Sequence, residues 1–310
     1  MKKVIDIHVN SQTKISELIK MFENVGGFQA QELYRAYEIL KEMLNDKNTI
    51  KVLSFTANIV STGIRGIIRD VIKNKLFDII ITTCGTLDHD IARLVRDYYL
   101  GYFESDDIKL REEGILRLGN VYIPEENYGI AIENVIRPIL NDIYENSNKK
   151  IFSTYEIIWE IGKRLEKYEN KEDSIIYWSY KNKIPIIVPG ITDGAIGTNI
   201  LMFKMEKNDF DVSVWEDEKF LAKTFFGEKD VGALIIGGGI SKHHTIWWAQ
   251  FSGGLKYAIY ITSAIEQDGS LSGAKTKEAI TWGKIKKEAK HVTVWGDATI
   301  LLPLLIADFL

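Results

Sequence analysis

Apolar residues follow two different rhythms along this chain of 310 residues. Near the start they recur every three or four positions, in SQTKISELIKMF and AQELYRAYEILKEMLND, which predicts amphipathic helices. Further on, short continuous apolar runs alternate with helical patterns. Each of these runs predicts a strand, at residues 50–55, 77–83, 184–190, 231–238, 257–263 and 291–296.

Continuous apolar runs are typical of strands that are buried on both faces of a parallel sheet. Together with the intervening helices they predict an α/β fold with a doubly wound, mostly parallel sheet of about six strands, Rossmann-like in plan. No repeat or linker interrupts the pattern, so we expect a single domain over residues 1–310, with the helical segment 1–49 packed on it. The less regular stretch LRLGNVYIPEENYG predicts a hairpin or a loop.

Composition narrows the class of protein. The net charge of −4 and the pI near 5.9 argue against nucleic acid as a partner. The N-terminal MKKVIDIHVNSQTK lacks the apolar run of a signal peptide, and the apolar ATILLPLLIADFL is too short to span a bilayer. We therefore expect a cytoplasmic protein that does not bind membranes. The single cysteine, Cys84, reads as a small buried residue, and the histidines show no metal-ligand spacing, so no metal is expected.

Small and polar residues follow every predicted strand, in SFTANIVSTGIRG, TTCGTLDHD, PGITDGAIGT, GGGISKHH, TSAIEQDGSLSGA and WGDAT. Ligands of open parallel sheets bind beyond the carboxyl ends of the strands, where glycine lets the backbone approach and Thr, Ser and Asp supply hydrogen bonds. The pattern predicts a nucleotide-like or cofactor-like ligand, with ordinary turns as the alternative. The G-x-G-x-x-G and phosphate-loop motifs are missing, so any dinucleotide is held by a non-standard set of loops.

Two lysines compete for a chemical role, Lys242 in SKHH and Lys284 in WGK. A lysine is a nucleophile only when its amine is neutral, and burial favours that form. The stretch EAITWGKIKK reads as a surface helix, in which Trp282 gives Lys284 an aromatic wall and Glu278 lies one turn above the indole. A carboxylate beside an indole indicates a site for amines. The residues alone leave both lysines open, and leave His243 as either a general base or a structural histidine.

The segments SKHH, DGSLSGA, EAITWGK and GDAT resemble, in this order, the C-terminal half of deoxyhypusine synthase, and STGIRGIIR, TTCG and IPIIVPGITDGAIG resemble its earlier part. The likeness begins near residue 50, runs to the C-terminus and suits an archaeal-type member. It implies an NAD-dependent aminobutyltransferase that oxidises spermidine or a related polyamine. The family releases 1,3-diaminopropane and captures the four-carbon aminobutyl group as an imine on a lysine. The group then passes to a lysine of the precursor of translation initiation factor five A, and the reduced cofactor returns the hydride.

The resemblance also implies residue roles and an assembly. Lys284 corresponds to the covalent lysine, and His243 to a base or amine contact. Glu278 and Trp282 correspond to the carboxylate and indole that hold the amine, and Ser272 lies at the same site. The family assembles as homotetramers. NAD contacts carry over at the strand ends, to Asn58, Ser61, Thr83, Gly85, Asp193, Gly237, Gly238, Ser263, Ala264, Asp268, Gly269, Asp297 and Ala298.

Two departures from the family pattern concern the donor. Thr198 follows DGAIG, and Leu271 lies in GSLSG, where eukaryotic members carry aspartates that help to bind the far end of the polyamine. The resemblance therefore leaves the identity of the polyamine open. The acceptor also has an alternative, because a homospermidine-type synthase would hand the aminobutyl group to putrescine, a small molecule. A catalytically idle binding or regulatory protein is the third interpretation.

Overall fold

The computed structural model covers residues 1–310 and shows helices alternating with short strands. No helix combines the length and the apolar character needed to cross a lipid bilayer. The helices are α1 Ile15–Met21, α2 Ala30–Asn45, α3 Arg65–Lys73, α4 Cys84–Val95, α5 Asp107–Glu112, α6 Gly129–Asn146, α7 Thr154–Arg164, α8 Ile175–Asn182, α9 Ala195–Glu206, α10 Val214–Phe225, α11 Gly239–Ala249, α12 Thr276–Thr281 and α13 Ala298–Ile306. The strands are β1 Thr49–Phe55, β2 Ile79–Ile81, β3 Tyr99–Leu100, β4 Ile115–Leu118, β5 Val121–Pro124, β6 Ile151–Phe152, β7 Ile186–Ile187, β8 Asp211–Val212, β9 Asp230–Ile236, β10 Leu255–Thr262 and β11 Ile285–Trp295.

Contacts between residues divide the chain into two compact units. The first unit comprises residues 1–55, 76–81 and 221–310, and the second comprises residues 56–75 and 82–220. Each unit is described separately below. The single domain over residues 1–310 stays a prediction.

The first unit is built on a parallel sheet. The main sheet of the chain has six strands, five of which lie in this unit in the order β11-β10-β9-β1-β2, with every pairing among them parallel. The sixth strand, β7, belongs to the second unit. Every residue from Val231 to Ile236 of β9 is buried, as expected for a strand covered on both faces. The predicted α/β fold with a mostly parallel sheet is confirmed, and a strand forms within each of the predicted apolar runs.

Helices of the first unit cover this sheet. Helix α2 packs against β10 and β11, and α13 packs against α2 and β10. The apolar stripe of α2 is buried at spacings of three and four residues, as the sequence predicted. Tyr37 of that helix donates its hydroxyl to Asp308 at 2.5 Å. The buried positions are Leu33, Ala36, Tyr37, Leu40 and Met43 on α2, and Leu302, Leu305 and Ile306 on α13.

The second unit is mainly helical and uses buried carboxylates to hold helix ends. Its antiparallel pair β4–β5 forms a hairpin, one of the two alternatives predicted for this stretch. Asp88 accepts the N–H groups of Ala195 and Ile196 at the start of α9, at 2.9 and 2.8 Å. Asp90 serves the start of α8 in the same way and also pairs with Arg65, at 2.8 Å. These buried charges are therefore compensated by hydrogen bonds and an ion pair.

The stretch EAITWGKIKK is not a continuous surface helix, and that prediction is wrong. Helix α12 ends at Thr281, and β11 begins at Ile285. Lys286 and Lys287 therefore lie on a strand. Strand β11 begins six residues before the predicted start at residue 291. The sequence did not predict this extension, because the polar IKKEAK contains no apolar run.

Gly283 explains where α12 ends. Its φ of +68° lies in the left-handed region, which suits the glycine that follows a helix. The N–H of Gly283 bonds the carbonyl of Ile280 at 3.0 Å, and the N–H of Lys284 bonds the carbonyl of Ala279 at 2.9 Å. This pair of bonds is a Schellman motif. A glycine that is costly inside a helix is favourable immediately after it, so WGK is a termination signal.

Substituting Gly283→Ala is expected to lower the free energy of unfolding by about 1 kcal/mol, because a Cβ is unfavourable in the left-handed region. Gly283→Asn is expected to cost less, since Asn tolerates that region better. Urea denaturation measures both. Gly129→Ala is the matched control, because Gly129 opens α6 with nothing within 4 Å of an added Cβ. Equal stability of Gly283→Ala and wild type would contradict the assignment.

Candidate active site

A cavity of about 330 Å³ lies within the first unit. Helix α11, strand β10, the loop before α12, α12 itself and the turn after it form the walls. Glu278 is the one acidic residue among the lining side chains. The lining residues are Lys242, His243, Ile246, Trp247, Gln250, Tyr260, Leu271, Ala274, Lys275, Glu278, Ala279, Trp282 and Lys284.

Helix α11 supplies much of the wall through one helical face. Lys242 and Ile246 are four positions apart, and Gln250 follows after four more, just beyond the helix end. His243 and Trp247 show the same spacing and lie beside them. Residues four apart share a face of a helix. That spacing is readable in SKHHTIWWAQ and could have identified Trp247 from the sequence.

Lys242 is fixed in place by backbone carbonyls. Only 1% of its surface is exposed, and its Nζ donates to the carbonyls of Leu271 and Ala274 at 2.6 and 2.8 Å. The amine also lies 4.1 Å from the ring centre of Tyr260. Burial lowers the pKa of Lys242 to about 8, while the charge of Glu278 opposes that change. With its donors engaged, Lys242 ties the loop before α12 to α11 and is poorly placed to act as a nucleophile.

Lys284 has a different environment. It is 9% exposed, and its Nζ lies 5.4 Å from the ring centre of Trp282 and 5.8 Å from that of Trp247. Its backbone is held on both sides, since its N–H bonds Ala279 and its carbonyl accepts the N–H of Leu255 at 3.0 Å. The amine itself faces two indoles in the cavity.

His243 lies beside Lys284 and stacks on Trp247. The ring centres of His243 and Trp247 are 6.0 Å apart and the planes differ by 25°. Burial lowers the pKa of His243, and the positive charge of Lys284 lowers it further. A neutral imidazole is thus favoured at neutral pH, as a general base requires.

Two buried polar atoms on the cavity wall have no hydrogen-bond partner in the protein. They are the hydroxyl of Tyr260, a residue with 1% of its surface exposed, and Nε2 of Gln250. Buried polar groups are nearly always satisfied in folded proteins. These atoms therefore indicate a polar ligand or water in the cavity. Reasoning from the sequence missed both residues, because an isolated Tyr within a buried strand looks like core.

Four of the predicted amine-site residues come together in this cavity: Lys284, His243, Glu278 and Trp282. Trp282 is 68% exposed, so its indole is less covered than expected. Ser272 is not on the wall. The hydroxyl of Ser272 packs closely against Gly238, since a Cβ added to Gly238 would lie 2.0 Å from Oγ of Ser272. The carbonyl of Ser272 accepts a hydrogen bond from the hydroxyl of Thr262.

The two positions that depart from the family pattern also differ in location. Leu271 lies on the cavity wall and brings an apolar side chain there. Thr198 lies on α9 in the second unit, where its hydroxyl donates to the carbonyl of Gly194 at 3.0 Å. Their roles, like those of the other site residues, stay predictions.

Eight of the predicted NAD contacts lie in the first unit, after the ends of β9, β10 and β11. The first residue of α11, Gly239, is open, because an added Cβ would meet nothing within 4 Å. Such an open helix N-terminus suits a phosphate group. After β11, Asp297 caps α13 through the N–H of Thr299 at 2.9 Å. The eight are Gly237, Gly238, Ser263, Ala264, Asp268, Gly269, Asp297 and Ala298.

The remaining five predicted contacts lie in the second unit, and four of them belong to the segment after β1 and to the start of α4. The N–H of Ala57 donates to the hydroxyl of Thr83 at 3.1 Å, which joins the loop after β1 to the start of α4. Cys84, the first residue of α4, is fully buried, and burial raises the pKa of its thiol to about 12. It thus behaves as the small buried residue that the sequence indicated. The five are Asn58, Ser61, Thr83, Gly85 and Asp193.

The family model for deoxyhypusine synthase matches residues 17–309. The chain belongs to the deoxyhypusine synthase family. A relative from Picrophilus torridus, named "Probable deoxyhypusine synthase", is 55% identical over 307 residues, covering 99% of this chain and 96% of its own. One from Thermoplasma acidophilum with the same name is 50% identical over 309 residues, covering 100% and 97%. The predicted family and the predicted enzyme class, an aminobutyltransferase, are confirmed.

Solved structures agree on the fold. A crystal structure from Entamoeba histolytica, assigned as a deoxyhypusine synthase, has a TM-score of 0.66 at 20% identity and covers 96% of this chain and 93% of its own. AgrE, solved in a ternary complex with ornithine and NAD+, has a TM-score of 0.53 at 14% identity. That match covers 91% of this chain and 33% of AgrE. At these identities the likeness shows a shared fold alone.

Removing the unpartnered hydroxyl by Tyr260→Phe is expected to leave the free energy of unfolding unchanged or to raise it, because no protein hydrogen bond is lost. Tyr37→Phe is the matched control, since that buried hydroxyl bonds Asp308. It is expected to cost about 1 kcal/mol. Thermal or urea unfolding of the two variants, side by side, measures the difference. A larger loss in Tyr260→Phe than in Tyr37→Phe would contradict the assignment of an unpartnered hydroxyl.

Proposed function

We propose that the chain transfers the aminobutyl group of spermidine, or of a related polyamine, to a lysine of the precursor of translation initiation factor five A, with NAD as cofactor. The observation that carries this proposal is the position of Lys284. Its amine is largely buried, faces two indoles and shares a cavity with one carboxylate, Glu278. Membership of the deoxyhypusine synthase family supports the same chemistry.

The walls of the cavity suit a polyamine. Glu278 offers a carboxylate to one ammonium group of the donor, and the ring of Trp282 offers a π-face to a positive charge. Leu271 and Ile246 line the cavity with apolar surface that suits methylene groups. A donor with a positive end and an aliphatic segment would therefore match the charges and the apolar wall. A nitrogen of the polyamine, or a water bound to that nitrogen, would form a hydrogen bond with the hydroxyl of Tyr260.

The strand ends fit a dinucleotide in their chemistry. The open start of α11 at Gly239 would receive a phosphate, with Gly237 and Gly238 immediately before it in the chain. Asp268 and Asp297 would offer carboxylates to hydroxyl groups. NAD, when bound, supplies the acceptor for the hydride taken from the donor and later gives it back.

The residues of this chain then perform the transfer. His243 accepts a proton from the amines in the cavity. The neutral amine of Lys284 attacks the carbon of the oxidised donor, a new C–N bond forms, and the bond to 1,3-diaminopropane breaks with that diamine taking the proton. The aminobutyl group is then held on Nζ of Lys284 as an imine. The amine of the acceptor lysine attacks the same carbon and releases Lys284 unchanged, and reduction of the product imine completes the reaction.

The acceptor and the assembly belong to the same proposal. A protein lysine is the acceptor, and the enzyme works as a homotetramer. To test the acceptor, the purified factor precursor is incubated with enzyme, NAD and spermidine, with and without excess putrescine, and its intact mass is measured. The addition of one aminobutyl group to the factor is expected in both samples. Homospermidine without any mass change on the factor would support a homospermidine-type synthase instead.

Lys284→Ala is expected to keep the fold and NAD binding but to lose at least about 1000-fold in transfer rate, because the covalent carrier is gone. Borohydride added during turnover should trap an adduct on Lys284 of the wild type, located by peptide mass spectrometry. Lys287→Ala is the control, since Lys287 is exposed on β11 and outside the cavity. A near wild-type rate in Lys284→Ala, or an adduct on Lys242 instead, would refute this role.

The pH dependence of turnover should report His243. Because burial and the charge of Lys284 lower the pKa of His243 from its ordinary value of 6.5, the imidazole stays neutral until the pH falls below that value. The acidic limb of the kcat/KM profile is therefore expected below pH 6.5. His243→Gln should remove that limb and slow turnover. A limb above pH 6.5 that persists in this variant would assign it to another group.

A further inference from the structure

Trp247 takes a place in the cavity that the sequence motifs did not indicate. It lies on α11 one turn after His243, stacks on that imidazole at 6.0 Å and 25°, and lies 5.8 Å from Nζ of Lys284. Phe251 also contacts it edge-on, with the ring centres 6.0 Å apart. One indole therefore contacts both the nucleophile and the base of the proposed reaction.

Packing alone does not account for a tryptophan at this position. Trp247 is 44% exposed, whereas its neighbour Trp248 is 7% exposed and packs against Phe225 in the interior. A core-forming indole would be buried like Trp248. The half-exposed indole of Trp247 instead lines the cavity, between the imidazole of His243 and the amine of Lys284. Its contacts point to a role in the site.

We propose that Trp247 is a positioning residue that shields the covalent intermediate on Lys284 from water and holds the imidazole of His243 in register. This inference rests on the proposed function, because it assumes an imine at Lys284. Trp247 acts from α11, and Trp282 acts from the turn after α12, at 5.4 Å from the same amine. The two indoles thus cover the amine from two different elements.

The physical argument concerns the charge of the intermediate. A protonated imine is a cation, and an aromatic face stabilises a cation by roughly 0.5–2 kcal/mol. Water destroys such an imine by adding its oxygen to the C=N carbon, after which the C–N bond breaks and gives an aldehyde and the free lysine amine. An indole over the group both favours the cation and occupies space that water would need. The intermediate on Lys284 therefore survives until the acceptor lysine arrives.

The test uses an imine that forms without donor or NAD. Wild-type enzyme is incubated with butanal, diluted, and treated with borohydride after increasing delays, and peptide mass spectrometry measures the butylated fraction of Lys284. Trp247→Leu, which keeps apolar volume but lacks a π-face, is expected to shorten the lifetime of the imine on the order of 3- to 10-fold. Trp247→Phe, which keeps a π-face, should retain at least about half of the lifetime. Trp215→Leu is the matched control, since Trp215 is a 72% exposed indole on α10 outside the cavity.

A lifetime in Trp247→Leu equal to that of the wild type would overturn the inference, and so would equal losses in Trp247→Phe and Trp247→Leu. A wild-type enzyme that forms no butanal adduct on Lys284 would overturn it as well. Failure of the proposed function looks different. In that case spermidine with NAD leaves no trapped adduct on Lys284, while the butanal imine still depends on Trp247 as described.

Discussion

The site depends on one backbone turn, the left-handed conformation of Gly283. It ends α12, and it lets the N–H of Lys284 return to Ala279 while the carbonyl of Lys284 joins Leu255 on β10. The backbone of Lys284 is therefore held by hydrogen bonds to a helix on one side and to a sheet strand on the other. A nucleophile held in this way loses little freedom on reaction, which is the advantage of building a site on rigid elements.

The two buried lysines of the cavity show how burial and hydrogen bonding separate structural from chemical roles. Lys242 is the more deeply buried, and burial lowers its pKa to about 8, yet its amine is occupied by two carbonyls. Lys284 faces aromatic rings and no such acceptors. A lowered pKa alone would favour Lys242 as the nucleophile. Freedom of movement decides between them, because a nucleophile must approach its target and the amine of Lys242 is held by its two hydrogen bonds.

Much of the fold was predictable because a parallel sheet buries both faces of its strands. The apolar runs that became β1, β9 and β10 could be recognised for that reason. The polar start of β11 could not, since IKKEAK is a partly exposed segment in which only Ile285 and Lys290 pair with β10, with a register shift between them. In the site, the motif residues Lys284, His243, Glu278 and Trp282 were identified correctly as neighbours, whereas Trp247 and Tyr260 were missed.

The sequence by itself determined the fold class, the family and the short motif that contains Lys284, the proposed nucleophile, because periodicity, strand-end glycines and motif order are local features of the chain. Only the tertiary structure decided which side chains share a cavity. Tyr260 comes from a strand, Trp247 from a helix and Leu271 from a loop, and their meeting depends on how these elements pack. It also decided that Ser272 lies against Gly238 and away from the cavity wall. Local patterns carry no information on such contacts, which form only when distant segments are brought together.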